Sequence, residues 1–199
     1  MGITATQVKE LREKTGVGMM KCKKALTEAN GDLVAAEKLL RTAGVATAAK
    51  KAGRATGEGL VTSYIHTGGK IGVLLEVNCE TDFASRGEQF TQLVRDIAMH
   101  VAAADPRYLR REDVPEAIVA DERAIFSQQA ANTGKPEQVI EKIVTGKINK
   151  FYSEICLLEQ TYVKDSDKNV GQLITDAVNV IGENIQVRRF ARFVLGDIN

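Results

Sequence analysis

The stretch Ile71-Gly-Val-Leu-Leu-Glu-Val-Asn-Cys79 is dense in residues that favour β-strands, and it gives way abruptly to Glu80-Thr-Asp-Phe83. Just beyond it, Ser85-Arg-Gly-Glu88 has the spacing of a capping box, in which side chains satisfy the free N–H groups of a helix start. Asp82 and Phe83 are therefore expected on a short connection between a strand and a helix. Because loops held between rigid elements often present functional residues, this connection is the first candidate for a binding site.

The strand is predicted to be the second half of a β-hairpin over residues 60–79. Gly68-Gly69 can supply the positive φ angles of a tight two-residue turn. The alternating sequence of residues 185–195 predicts a further strand that can join this hairpin. The turn sets a register in which three pairs of residues form one apolar side, namely Tyr64 with Val73, Thr62 with Leu75 and Leu60 with Val77.

The first 44 residues are predicted to form three short helices. Thr4 can cap the first helix, which Gly16 ends, and Asp32 is a suitable N-cap for the third. The second helix spans Met19 to Ala29 and stops at Asn30-Gly31, two residues that tolerate a left-handed backbone. Hydrophobic spacing predicts further helices over about 86–104, 116–131, 136–155 and 170–182.

These elements predict an α+β fold. A three-helix module is expected over residues 1–44, followed by a linker rich in small residues over 45–58 that could be helical at its start. An α+β core, with a small antiparallel sheet packed against helices, is expected over 59–199.

The composition excludes several classes of protein. The 199 residues carry 27 basic and 26 acidic side chains, whereas nonspecific nucleic-acid binding draws on a basic excess, so no direct nucleic-acid partner is expected. The three cysteines are odd in number and far apart, which favours reduced thiols. No signal-peptide pattern and no apolar run of about 18 residues occurs. We therefore expect a cytoplasmic protein with no membrane span.

Enzymatic chemistry has little support in the sequence. The two histidines, His66 and His100, are isolated, and no phosphate-binding, dinucleotide or nucleophile motif occurs. Asp165-Ser-Asp-Lys-Asn169 resembles the opening of an EF-hand loop, but Val170 stands where glycine is required, and Asp176 stands in place of the final glutamate. A polar turn before a helix explains this segment better, so we expect no catalytic residue, metal site or cofactor.

Two candidate sites have simpler structural explanations. The adjacent Met19 and Met20 follow two glycines and suit a partner surface, although one of them could instead fill the small core of the three-helix module. For the connection after the strand, the simpler explanation is that Asp82 caps a turn and Phe83 packs against the following helix.

Four motifs in order along the chain resemble the bacterial elongation factor Ts family. They are Val8-Lys-Glu-Leu-Arg-Glu-Lys-Thr-Gly-Val-Gly-Met-Met-Lys-Cys-Lys-Lys-Ala-Leu-Thr-Glu-Ala-Asn-Gly-Asp32, Leu75-Glu-Val-Asn-Cys-Glu-Thr-Asp-Phe83, Gly134-Lys-Pro136 and Glu141-Lys-Ile-Val-Thr-Gly146. The resemblance implies a ubiquitin-associated-like three-helix module and an α+β core. It also implies a nucleotide exchange factor, without active-site chemistry of its own, that binds the GTPase elongation factor Tu and speeds release of GDP.

The resemblance assigns roles to two groups of residues. The first group matches a loop that intrudes near the partner's nucleotide and displaces magnesium, with Phe83 as the inserted wedge; Ala84 stands where many members carry valine. The second group matches contacts of the first module with the partner's GTPase domain. The two groups are Thr81, Asp82, Phe83 and Ala84, and Arg12, Met19 and Met20.

The length of the chain implies a homodimer. Longer members of the family carry a second copy of the core subdomain and a coiled-coil insertion, and short members are thought to pair. Phe190 and Val194 lie on the arginine-rich side of the predicted last strand and could contribute to such pairing. That strand contains no cysteine, so a disulfide there is excluded.

Two other functions remain open from the sequence. One is a ubiquitin-associated-type adaptor that binds peptides through Met19 and Met20, and it would not need an exposed Asp82-Phe83. The other is an RNA-binding protein, against which the near-neutral charge and the lack of interleaved aromatic residues weigh. Its basic residues would be Lys50, Lys51, Arg54, Arg188, Arg189 and Arg192.

Overall fold

The computed structural model of the protein describes residues 2–197. Within them, helices combine with a small antiparallel sheet, which confirms the predicted α+β class. The helices are α1 (Ala5–Thr15), α2 (Met19–Glu28), α3 (Leu33–Lys51), α4 (Asp82–Ser85), α5 (Glu88–Ala104), α6 (Glu116–Ala131), α7 (Glu137–Ile155) and α8 (Val170–Ile181). The strands are β1 (Glu58–Ile65), β2 (Ile71–Cys79), β3 (Thr161–Tyr162), β4 (Asp165–Asn169) and β5 (Ile185–Val194).

The main sheet has the strand order β1-β2-β5, so the last strand joins the hairpin as predicted. The His66 N–H donates to the Ile71 carbonyl at 2.9 Å, which fits the predicted register of the hairpin. The turn itself is shifted by one residue, because the Gly69 N–H donates to the His66 carbonyl at 2.9 Å. Thr67 and Gly68 are therefore its central residues, and Gly68 has the positive φ of 92° that a type II turn requires at its third position.

Local side-chain bonds start the N-terminal helices where the sequence predicts. Thr4 and Gln7 form a reciprocal capping box on α1, and the Asp32 carboxylate accepts the N–H groups of Val34 and Ala35 at the start of α3. α3 runs to Lys51, beyond the predicted end near residue 44 and into the segment predicted as a linker. Apolar side chains of the three helices form one core, namely Leu11, Val17, Cys22, Ala25, Leu26, Ala36 and Leu40.

Contacts between residues divide the chain into two compact units. The first contains the residues up to Thr62, Leu75–Asp96 and Gln172–Arg188, and the second contains Ser63–Leu74, Ile97–Gly171 and the residues from Arg189 onward. In the first unit, Val180 of α8 packs against the core of the N-terminal helices. The separation of a ubiquitin-associated-like module at residues 1–44 from the core stays a prediction.

The second unit contains a short hairpin that the sequence analysis missed. Asp165–Asn169, expected as a polar turn, forms β4 and pairs antiparallel with β3. The buried Tyr162 anchors this pair, whereas most side chains of β4 are charged and partly exposed. Because the strand lacks an apolar alternation, its composition resembled a turn.

The arginine-rich side of β5 makes contacts within its own chain. Phe190 and Val194 are half-buried within the chain. On the same side, the Arg192 guanidinium donates to the Ala102 carbonyl at 3.2 Å and pairs with Asp105 at 3.1 Å. The large apolar side chains exposed in this region are Phe193, near the end of β5, and Leu195, which immediately follows the strand.

His100 of α5 is fully buried in the second unit and has a bond at both ring nitrogens. Nδ1 accepts the Val163 N–H at 3.3 Å, so the ring proton lies on Nε2, which is 3.0 Å from Gln160 Oε1. Burial lowers the pKa of His100 below its ordinary value of 6.5. The neutral imidazole therefore has a structural role, since a proton on Nδ1 would oppose the Val163 N–H.

We expect the stability of the protein to fall as the pH drops below about 6.5, because the unfolded chain then binds a proton at His100 that the folded chain excludes. The loss approaches about 1.4 kcal/mol per pH unit until the lowered pKa is reached. This slope can be measured by following the thermal unfolding of the protein at several pH values between about 7.5 and 5.5. The His100→Gln variant should flatten this slope; a slope equal to that of the parent chain would contradict the assignment.

Candidate functional site

The connection after β2 forms a single helical turn, α4, before α5 begins. Thr81 caps this turn, because its Oγ1 accepts the Ala84 N–H at 3.3 Å. Ser85 lies inside the turn, and its hydroxyl donates to the Asp82 carbonyl at 2.9 Å. The predicted capping box of Ser85 and Glu88 is therefore wrong. α5 starts one turn later, where the Thr91 N–H donates to the Gly87 carbonyl at 3.0 Å.

Phe83 points away from its own chain, with 83% of its surface exposed. Its neighbour Asp82 is partly exposed and pairs with Arg86 at 3.0 Å across one helical turn. The simpler explanation, in which Asp82 caps the turn and Phe83 packs on the following helix, is contradicted, because Thr81 is the cap and the Phe83 ring is exposed. A large apolar side chain that keeps most of its surface in contact with water is available to a partner.

The Glu183 carboxylate holds the start of this turn. Its Oε2 accepts the backbone N–H groups of Thr81 at 2.9 Å and Glu80 at 3.1 Å. Its Oε1 accepts the Thr81 hydroxyl at 2.6 Å. Hydrogen bonds to an ionised acceptor are shorter and stronger than those between neutral groups. Three such bonds converge on one side chain, so the backbone that leads into α4 is fixed from outside the turn.

A second carboxylate makes the reciprocal contact. Glu80 Oε1 accepts the backbone N–H of Asn184 at 2.6 Å, and the carboxylate pairs with the Arg54 guanidinium at 3.3 Å. The Asn184 N–H, followed by Arg54, lowers the pKa of Glu80 below its ordinary value. The Asn184 side chain is buried and donates to the carbonyls of Ala52 and Arg54 at 3.3 and 2.9 Å. The segments Glu80–Thr81 and Glu183–Asn184 are thus joined reciprocally, because a glutamate side chain of each segment accepts main-chain N–H groups of the other.

Cys79 contributes a further restraint at the end of β2. Its side chain is buried, and Sγ lies 3.2 Å from the Thr81 carbonyl. Burial, and then the nearby Glu183 carboxylate, raise the pKa of the Cys79 thiol. The thiol therefore keeps its proton at neutral pH and acts as a weak donor to that carbonyl, as a buried small side chain rather than a reactive group.

Sequence reasoning placed Thr81, Asp82, Phe83 and Ala84 together but missed Glu183 and Asn184. Gly182 ends α8 with a φ of 88°, and the two residues follow directly before β5. Two polar residues between the end of a helix and the start of a strand have the composition of an ordinary loop, so nothing in the sequence marks Glu183 and Asn184 as part of a site. Its contact with Thr81 spans 102 residues of sequence, a distance over which hydrophobic periodicity carries no information.

The second group of predicted contact residues lies on the N-terminal helices. Met19 and Met20 begin α2 and are 58% and 78% exposed, so neither fills the core of the module. Arg12 is exposed on α1. The adjacent Val17 and Cys22 occupy the core positions instead. Exposed, flexible thioethers are typical of surfaces that pack against a partner.

Several of the six basic residues considered for RNA binding are engaged within the chain. Arg54 pairs with Glu80, Arg192 pairs with Asp105, and the Lys51 ammonium donates to the Gly182 carbonyl. The structure therefore adds no support to an RNA surface built from these side chains.

Residues 2–197 offer neither a clustered metal site nor a helix suited to crossing a membrane. No group of three or more histidine, cysteine, aspartate or glutamate side chains in this range is placed to hold a metal ion. Within the same residues, no helix combines the length and apolar character needed to cross a bilayer.

Comparison with known proteins identifies the family. The sequence model of the family described as Elongation factor TS matches residues 35–197. A protein named Elongation factor Ts from Geobacter sulfurreducens is 61% identical over 197 residues, which cover 99% of this chain and 91% of that protein. One of the same name from Anaeromyxobacter dehalogenans strain 2CP-C is 64% identical over 195 residues, covering 98% of this chain and 89% of that protein.

A third relative, Elongation factor Ts from Koribacter versatilis, is 60% identical over 198 residues and aligns with 100% of this chain and 90% of its own length. On the family match and these identities, the chain belongs to the elongation factor Ts family.

Proposed function

We propose that this protein is a guanine nucleotide exchange factor that binds elongation factor Tu and promotes release of its GDP. In this proposal the loop of Thr81, Asp82, Phe83 and Ala84 inserts near the nucleotide and magnesium site of the partner. The observation that carries the proposal is the exposed Phe83 ring on a turn whose backbone is pinned by Glu183. Family membership supports the identity of the partner.

Exchange of a bound nucleotide needs no covalent step by the factor. It requires that the factor and GDP weaken each other's binding to the partner, and this coupling is reciprocal. A thousandfold weakening corresponds to about 4 kcal/mol. The protein then acts without catalytic residues or a cofactor of its own, as the sequence suggests. An elongation-factor partner also implies a cytoplasmic location.

Phe83 cannot supply the whole coupling energy. Burial of one phenylalanine ring contributes about 1.5–3 kcal/mol, less than a thousandfold weakening requires. Contacts of the N-terminal helices therefore help to hold the distorted partner, and we assign this role to Arg12, Met19 and Met20. Asp82 acts by its charge near the magnesium shell, where hard oxygen ligands bind.

We also propose that two copies of the chain pair through the outer face of the sheet in the second unit. Leu195 donates its N–H to the Lys70 carbonyl at 2.8 Å, and the Ile65 side chain lies against Gly72. Because side chains alternate along a strand, these contacts put the exposed Ile65, Leu74, Phe193 and Leu195 on one face. A two-fold axis would bring the same apolar patch together from both chains.

We expect Phe83→Ala to slow GDP release from elongation factor Tu about tenfold or more, since the ring contributes about 1.5–3 kcal/mol when it is buried. The fold should be unaffected, because the ring is exposed. Stopped-flow release of a fluorescent GDP measures the rate. Val163→Ala, which shortens an exposed apolar side chain elsewhere, is the matched control, and a wild-type rate for Phe83→Ala would refute the wedge.

A double variant, Met19→Ala with Met20→Ala, should bind elongation factor Tu about tenfold or more weakly, because two exposed apolar contacts are removed at about 0.8 kcal/mol per buried CH₂ group. Calorimetric titration gives the affinity. Val45→Ala changes an exposed side chain on α3 that has no assigned contact and serves as the control. Equal affinities for both variants would exclude this surface.

Phe193→Asp should convert a dimer to a monomer, because a two-fold interface would bury two like charges against apolar side chains. Sedimentation equilibrium measures the mass. Val163→Asp places the same charge on the connection between β3 and β4 and should leave the mass unchanged. If the Phe193→Asp protein keeps the mass of the parent chain, this face is not the contact.

A further inference from the structure

We infer that Glu183 is a positioning residue for nucleotide exchange, which fixes the direction of Phe83 by holding the turn Thr81–Ala84. The inference rests on the proposed function, in which Phe83 is the group inserted into the partner. Glu183 lies 102 residues beyond Thr81 in the sequence, and it acts on Phe83 through its hydrogen bonds to Thr81.

The carboxylate constrains two consecutive peptide groups at once. It accepts the N–H of Glu80 and of Thr81 on one oxygen, at 3.1 and 2.9 Å. These N–H groups belong to adjacent peptide planes, so both planes are oriented by the same acceptor. Glu183 therefore sets the direction in which the chain leaves β2 and enters α4.

The Thr81 hydroxyl links Glu183 to the backbone on the far side of Phe83. It donates to Glu183 Oε1 at 2.6 Å and accepts the Ala84 N–H at 3.3 Å. Phe83 lies between these two anchored positions. Because the ring is exposed and packs on nothing that would orient it, the direction of its backbone is set by the anchors on either side.

Glu183 can act in this way because its own backbone is held. The next residue, Asn184, is buried, donates its N–H to Glu80 at 2.6 Å and donates its amide to two carbonyls after α3. A carboxylate on a fixed backbone gives a defined acceptor position, whereas one on a free loop would move with the turn. An exposed ring that is already oriented loses less conformational entropy when a partner binds it.

The test compares variants in release of fluorescent GDP from elongation factor Tu over a range of factor concentrations. Glu183→Ala should lower the maximal release rate about tenfold, since misplacing a positioned group by 1 Å can cost as much as a hundredfold. The half-saturating concentration should not change, because the contacts of the N-terminal helices remain. Glu183→Gln keeps an oxygen acceptor without the charge, and its maximal release rate should lie between those of the parent chain and Glu183→Ala. Glu154→Ala, which removes an exposed carboxylate paired with Lys150, is the matched control.

A double variant separates positioning from stability. If Glu183 acts through Phe83, then Phe83→Ala combined with Glu183→Ala releases GDP no more slowly than Phe83→Ala alone. Effects that multiply, or a wild-type maximal rate for Glu183→Ala, would overturn the inference while the wedge itself stands. A wild-type rate for Phe83→Ala would instead reject the proposed function.

Thermal unfolding of each variant reports whether it is folded. If Glu183→Ala does not fold, Thr81→Val replaces it in the comparison with Phe83→Ala. This variant removes the Thr81 hydroxyl that donates to Glu183. The same rate in Thr81→Val as in the parent chain would then overturn the inference, and a slower rate that is not additive with Phe83→Ala would support it.

Discussion

Two glutamates, each of which accepts main-chain N–H groups from the segment that contains the other, determine the geometry of the candidate site. Glu183 accepts the N–H groups of Glu80 and Thr81, and Glu80 accepts the N–H of Asn184. Each carboxylate is thus satisfied by donors whose positions depend on the other. Neither segment is part of a helix or strand interior at this point, so this exchange of hydrogen bonds replaces the regular bonding that would otherwise hold the backbone. The Phe83 ring can remain exposed because its turn is held by hydrogen bonds of the main chain and of Thr81, and not by packing of the ring itself.

This arrangement is suited to binding rather than to chemistry. The titratable groups near the turn are occupied: Glu80 binds Asn184 and Arg54, Asp82 pairs with Arg86, and the Cys79 thiol is buried with a raised pKa. None of them is poised as a free base or nucleophile, a state that enzymes produce by shifting pKa values toward neutrality. Under the proposed exchange function, the exposed Phe83 ring and the neighbouring Asp82 would supply the steric and electrostatic conflict with a bound nucleotide that a coupling mechanism needs.

Local chemistry made most of the fold predictable from the sequence. The caps at Thr4 and Asp32, the left-handed Asn30-Gly31 and the hairpin register all follow from residues within a few positions of each other. Predictions were wrong where two local explanations competed. Ser85 has the spacing of a cap, but Thr81 is the cap that forms one turn earlier.

Long-range contacts could not be predicted in the same way. The local pattern favoured a packed Phe83, and only the family resemblance implied the exposed ring that the structure shows. The hydrogen bonds that hold its turn come from Glu183, which no local motif marks. β4 was missed because a strand held mainly by its backbone pairing and by Tyr162 needs no apolar alternation of its own. In both cases the decisive partner is brought into place by the tertiary fold.

The sequence separation within this pair of glutamates has a consequence for synthesis on the ribosome. The contacts join positions 102 to 104 residues apart, and the later member of each pair lies close to the C-terminal end of the described chain. A nascent polypeptide that has completed β2 and α5 still lacks the acceptor that orients the turn. The turn that presents Phe83 therefore acquires this support only after a further 102 residues have been synthesised, when α8 is already complete.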